Sequence, residues 1–71
     1  MTVYVLIRED QNQHGYVDVS ITGIFREQQS AKKLEAIERA VAHQQGRRVC
    51  DEFDSDPDWE VSWKIEEHDI N

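Results

Sequence analysis

Along this chain the spacing of apolar residues changes from two to about 3.6 and back to two, and each change marks where one kind of secondary structure gives way to another. The opening Thr2-Val3-Tyr4-Val5-Leu6-Ile7 is dense in β-branched and aromatic side chains and runs into the polar stretch Glu9-Asp10-Gln11-Asn12-Gln13-His14-Gly15. Residues 2–8 are therefore predicted as a buried strand closed by a loop. In Tyr16-Val17-Asp18-Val19-Ser20-Ile21-Thr22 the apolar residues alternate with polar ones, which predicts a second strand with Val17, Val19 and Ile21 inward. Gly23 then allows a bulge or bend before Ile24-Phe25 return to the core. The two strands are expected to pair as an antiparallel hairpin.

From Glu27 to Gln45 the period becomes helical, with Ala31, Leu34, Ile37, Ala40 and Val41 on one face and Lys32, Lys33, Glu35, Arg39 and His43 elsewhere. Gly46 follows where a left-handed cap would end the helix, and Arg47 and Arg48 just beyond it suit the negative end of the helix dipole. Residues 49–58 read as a loop, because their acid density and Pro57 argue against a central strand. Trp59, Val61, Trp63 and Ile65 then alternate strictly with polar residues, which predicts a third strand with these four on one face. The expected fold class is α+β: a ββαβ chain forming a three-stranded, mainly antiparallel sheet with one helix packed on one face, as one domain over residues 1–71. Either the first or the last strand could be central.

Size and charge narrow the function. A chain of 71 residues buries only about 60% of its unfolded surface, enough for one sheet-and-helix layer but not for a walled substrate cavity as well, so we expect a non-catalytic binding protein without a cofactor. Its lone Cys50 forms no internal disulfide and its opening residues lack the basic lead of a signal peptide, which points to a reducing, cytoplasmic compartment and no membrane anchor. The net charge of −7 is placed unevenly: residues 1–50 carry seven Lys/Arg and six Asp/Glu, whereas residues 51–71 carry Lys64 against nine Asp/Glu. Direct binding to nucleic acid or anionic lipid requires a basic footprint, so a protein partner with a basic surface fits better.

A resemblance accompanies this reading. The run Val3-Tyr4-Val5-Leu6, then Gly23-Ile24-Phe25, Ala31, Glu35-Ala36-Ile37-Glu38 and the closing Trp63-Lys64-Ile65-Glu66-Glu67 resemble a widespread group of small bacterial and phage-encoded proteins of unknown function built on a strand, strand, helix, strand plan. The shared positions belong to core and turns, so the likeness implies a fold and carries over no site. Small acidic chains of this type also look like phage-encoded inhibitors of bacterial immunity, including anti-CRISPR proteins, which implies action in the cytoplasm of a bacterial host cell.

The stretch from Asp51 to Glu60 holds six carboxylates in ten residues. If it is extended, Asp54, Asp56 and Asp58 stand about 6.5–7 Å apart along one side, a spacing comparable to successive phosphates. Asp51, Glu52, Asp54, Asp56, Asp58, Glu60, Glu66, Glu67 and Asp69 are thus the candidate partner-binding residues of a DNA-mimicking surface directed at the basic groove of a nucleic-acid-handling protein. The competing reading assigns these acids to solubility and places contact with a protein partner on the open sheet face or an edge strand, with a homodimer through an unpaired sheet edge as a further alternative to a monomer.

Other chemistry is weakly signalled. Asp54, Asp56 and Asp58 match the first, third and fifth positions of a calcium loop, but Trp59 stands where its glycine is needed and Ile65 where its bidentate glutamate is needed. Cys50 has no histidine at a recognisable spacing, so it reads as a small apolar residue where loop meets core, and His14, His43 and His68 read as surface residues. Arg26, Lys32, Lys33, Arg39, Arg47 and Arg48 are interrupted by Glu35 and Glu38, with Glu35 and Arg39 spaced as an i,i+4 pair, so the helix reads as a mixed solvated face. Trp59 and Trp63 are expected in the core.

Overall fold

A computed structural model of the chain describes residues 1–50 and 59–70. Three strands, β1 (Thr2–Gln11), β2 (Val17–Phe25) and β3 (Val61–Asp69), and one helix, α1 (Gln28–Gln44), follow in the order ββαβ. The sheet order is β2-β1-β3, with β1 antiparallel to both neighbours. The first strand is thus the central one, and the helix lies across one face of an open sheet.

Local chemistry fixes the hairpin. The Asn12 Oδ1 accepts hydrogen bonds from the N–H groups of His14 (2.9 Å) and Tyr16 (3.1 Å). The backbone closes the turn through Gly15 N–H to the Asn12 carbonyl (3.0 Å) and Asn12 N–H to the Tyr16 carbonyl (2.9 Å). A short side chain that bonds its own following backbone is what favours Asn at such turns, and Gly15, at φ 84°, supplies the left-handed residue.

The second glycine of the hairpin sets which face of β2 is inside. The register with β1 runs Leu6 to Gly23 and then Ile7 to Ile21, leaving Thr22 as the extra residue of a β-bulge. Gly23 and Phe25 consequently join Tyr4 and Leu6 on the helix-bearing face. A Cβ on Gly23 would sit 2.8 Å from Cε2 and Cζ of the Phe25 ring, so the ring folds over a position only glycine leaves open. Val17, Val19 and Ile21, expected inward from their alternation, instead point away from the helix and are 42%, 65% and 65% exposed. The core on this side is filled by Phe25, and alternation alone does not say which of two faces a strand buries.

The third strand behaves as its alternation predicts. Val61 and Trp63 are buried, and Ile65 packs against the same cluster, formed by Leu6, Ala42, Val49, Val61 and Trp63 with Phe25, Leu34 and Ile65 at its margin. The strand begins at Val61, two residues later than predicted from Trp59, and continues to Asp69. Residues 48–50, assigned in part to a loop from sequence, run beside its start. The Arg48 carbonyl accepts from Glu60 and Val61 N–H (2.8 and 3.2 Å), Cys50 N–H donates to the Val61 carbonyl (2.8 Å), and Val49 forms a parallel bridge with Val61.

The helix ends as expected. Arg47 N–H donates to the Ala42 carbonyl and Gly46 N–H to that of His43, both at 3.0 Å, with Gly46 at φ 73°. This pair of bonds is the Schellman motif, satisfying carbonyls that the helix leaves open. Its inward face differs from the expected one. Ala31 and Ala42 are buried, Leu34, Glu35, Glu38 and Arg39 are half-buried, and Ile37 and Val41 are 52% and 45% exposed. The sheet beneath offers Arg8 and Trp63 beside the apolar Leu6, Val61 and Ile65, and the helix sets Glu38 and Arg39 over the first two and Leu34 and Ala42 against the apolar cluster. Among the described residues no helix is long and apolar enough to cross a membrane.

Candidate interaction surface

Beneath the helix lies a polar layer centred on Trp63. The Arg8 and Arg39 guanidinium carbons stand 5.4 and 5.3 Å from the Trp63 ring centroid, within cation–π range. The indole Nε1–H donates to Glu38 Oε1 (3.2 Å), which also accepts from Arg8 Nη1 (3.4 Å). Arg8 is held in addition by Asp10 (Nε to Oδ2 3.0 Å, Nη2 to Oδ1 3.1 Å), and Arg39 reaches Glu35 (3.2 Å) and the carbonyls of Cys50 and Trp63. The Asp10 hydrogen bond raises the Arg8 pKa further above its ordinary value, against the opposing effect of burial. Arg47 joins Asp10 (3.3 Å) to Glu60 (3.5 Å). Among the described residues no buried side-chain polar atom lacks a partner. A network so fully paired cements helix to sheet.

The candidate acidic residues fall into three groups. Asp51, Glu52, Asp54, Asp56 and Asp58 lie outside the described residues. Glu60 precedes β3 and pairs with Arg47. Glu66 stands on the face away from the helix, between Lys64 (3.7 Å) and His68 (3.2 Å), whereas Glu67 and Asp69 lie on the helix-bearing face opposite Tyr4 and Thr2, with Thr2 Oγ1 donating to Asp69 Oδ1 (2.8 Å). Glu60 and Asp69 are at opposite ends of β3, on the order of 30 Å apart by strand rise. The four described acids therefore form no single stripe. Among the described residues no three His, Cys, Asp or Glu side chains come together as a metal site.

An open cleft of about 530 Å³ at the hairpin end is lined by Gln11, Asn12, Gln13, Gly15, Trp59 and Glu60. Among the described residues of its lining, the ionisable side chain is that of Glu60, which is engaged by Arg47.

The feature that the residue pattern did not announce is the apolar character of the sheet face away from the helix. The registers lay its residues out in rows across the three strands: Ile24, Val5 and Glu66; Ile21, Ile7 and Lys64; Val19, Glu9 and Ser62; Val17 and Gln11; and Val3 with His68. Val3 and Ile7, in the central strand, are shielded by their neighbours to 7% and 8% exposure. On edge strand β2, Val19, Ile21 and Ile24 stand open, Ile24 at 61%. Half of this face is thus an apolar surface continuous from β1 to the β2 edge. The β3 half is charged, with Lys64 paired to Glu9 (3.5 Å) and Glu66. Contiguous apolar exposure rimmed by polar groups is uncommon on chains that act alone and marks sites of association. The signal available in the sequence was Gly23 followed by Phe25, which reverses the parity of β2.

Comparison with protein-family models, with curated proteins and with solved structures gives no match.

Proposed function

We propose that this chain is a non-catalytic protein-interaction module whose contact surface is the open sheet face formed by Val5, Ile7, Val17, Val19, Ile21 and Ile24. The observation that carries the reading is the exposure of Val19, Ile21 and Ile24 at 61–65% in one continuous apolar patch. Covering such side chains contributes about 25 cal/mol per Å² of apolar surface, whereas leaving them in water contributes nothing. The arginine–tryptophan layer serves the other side of the sheet by fixing the helix, so that the free face keeps a defined shape.

A second reading rests on charge. Nine Asp/Glu against one Lys in residues 51–71 suit an acidic, DNA-mimicking surface that inhibits a nucleic-acid-handling partner such as a bacterial defence effector, in the manner of anti-CRISPR proteins. Steering by such a surface is steeply weakened by salt.

One experiment separates the two. Tagged protein is used to capture partners from a bacterial lysate with a salt gradient, beside a Val19→Lys/Ile21→Lys variant and a variant with Asp54, Asp56 and Asp58 all changed to Asn. Capture lost with the first variant and indifferent to salt supports the apolar face. Capture lost with the second and released at moderate salt supports the acidic surface and overturns our primary reading.

A further inference from the structure

We infer that the free edge of β2 pairs with the same edge of a second copy of this chain, antiparallel and centred on Val19, joining the two three-stranded sheets into one. This rests on the reading of the chain as an interaction module and concerns the rim of the sheet rather than its face. The ladder fixes which groups that rim presents. Gln11 N–H donates to the Glu60 carbonyl on the β3 side, so Asp10 and Arg8, the alternate residues of β1, turn their backbone groups toward β2, where they meet Asp18 and Ser20. Val17, Val19 and Ile21 therefore direct their N–H and C=O groups outward, along an edge with which no described segment pairs. Every residue from Val17 to Ile21 is exposed, so the helix leaves this half of β2 open.

The two edges of the sheet differ in how they are guarded. Sheet edges are blunted by charge, by proline or by a covering segment. On β3, Val61 is bonded by Arg48 and Cys50, the Trp63 carbonyl accepts from Arg39, and Glu66, Glu67, His68 and Asp69 follow. On β2 the one charge is Asp18, and there is neither lysine nor proline from Val17 to Phe25. The complement of a row of outward donors and acceptors is another extended backbone.

The register follows from the limits of the straight segment, which the turn at Tyr16 closes on one side and the bulge at Thr22 on the other. A two-fold axis perpendicular to the sheet gives the isologous pairing. Through Val19 it sets Val17 against the second copy's Ile21, Val19 against its Val19 and Asp18 against its Ser20, so that all the outward groups of Val17, Val19 and Ile21 find partners. Through Asp18 it would bring two carboxylates together at the close spacing of a non-hydrogen-bonded pair. Through Ser20 or Ile21 it would carry the second copy into the bulge, and through Val17 it would leave Val19 and Ile21 unpaired. An axis between residues would set outward groups against inward ones. Because the axis is perpendicular to the sheet, both helices stay on one side, and the apolar rows of Val17, Val19 and Ile21 in the two copies run together on the other.

The test is sedimentation equilibrium of the full chain, made by chemical synthesis so that single backbone amides can be N-methylated, with circular dichroism to establish that each variant is folded. The expected result at several hundred micromolar is twice the single-chain mass of 8.4 kDa. N-methylation at Val19 removes an outward donor and spares the bonds to β1, and it is expected to raise the dimer dissociation constant about tenfold or more. N-methylation at Glu67, whose N–H faces outward on the β3 edge, is expected to leave it unchanged. Register is read from disulfides in a Cys50→Ala background. Val19→Cys is expected to give a covalent dimer on oxidation, and Val17→Cys none, because its two Cα positions lie roughly 14 Å apart, beyond the about 7 Å that a disulfide spans. A single-chain mass for the unmodified protein overturns the inference, as does a dimer that N-methylation at Val19 leaves intact or equal disulfide formation from both cysteine positions. A single-chain mass together with partner capture abolished by Val19→Lys/Ile21→Lys removes the edge pairing and keeps the interaction surface. A single-chain mass with capture indifferent to that variant removes both.

Discussion

At Gly23 the requirement for glycine is steric, because the Phe25 ring occupies the space where a Cβ would lie. Gly23→Ala is expected to force the ring out of the core margin and cost about 1–3 kcal/mol, read as a lower urea midpoint. Gly46, by contrast, is required by its backbone: at φ 73° an alanine is strained, and Gly46→Ala is expected to cost about 1 kcal/mol in the same measurement. Trp63 combines burial with a donor, so Trp63→Phe keeps most of the apolar contact while leaving Glu38 without the indole N–H. That change is expected to cost about 1–3 kcal/mol. Gly46 and the inward direction of Trp63 were legible in the sequence, the first from its place after a periodic segment and the second from strict alternation. The two arginines around the ring were not, since Arg8 comes from the far end of β1 and Arg39 from the helix, and only the tertiary fold brings them to it.

Among the elements, strand identity and order along the chain followed from periodicity, but two orientations did not. The bulge at Thr22 reverses the parity of β2, so a correct alternation of Val17, Val19 and Ile21 led to the wrong face. In α1 Ala31 and Leu34 face inward as expected, but Ile37 and Val41 do not, and Glu38, Arg39 and Ala42 take their place over Arg8, Trp63 and the core. A direct contrast checks this rotation. Val41→Lys is expected to change stability by no more than about 0.5 kcal/mol, as for an exposed site. Ala42→Leu, one position on, is expected to overpack the contact with Leu6, Val49 and Val61 and cost about 1–3 kcal/mol. Equal losses at the two positions in thermal or urea unfolding would place the helix in the rotation that its hydrophobicity alone suggests.

For the molecule as a whole, the acidity of the C-terminal third was plain from composition, and its distribution was not, because the register of β3 sends Glu66 to one face and Glu67 and Asp69 to the other. The same register assembles the apolar rows of the open face from strands read separately. A small domain that leaves Val19, Ile21 and Ile24 in water gains from covering them. The central claim is that this face is covered when the protein works, and the most direct measurement is site-specific photo-cross-linking. A photoreactive residue is introduced at Val19 and, as a control on the exposed helix, at Lys33, and covalent adducts are resolved by mass. The account predicts one discrete protein adduct from Val19 and none from Lys33. Equal labelling from both positions, or none from Val19, would contradict it.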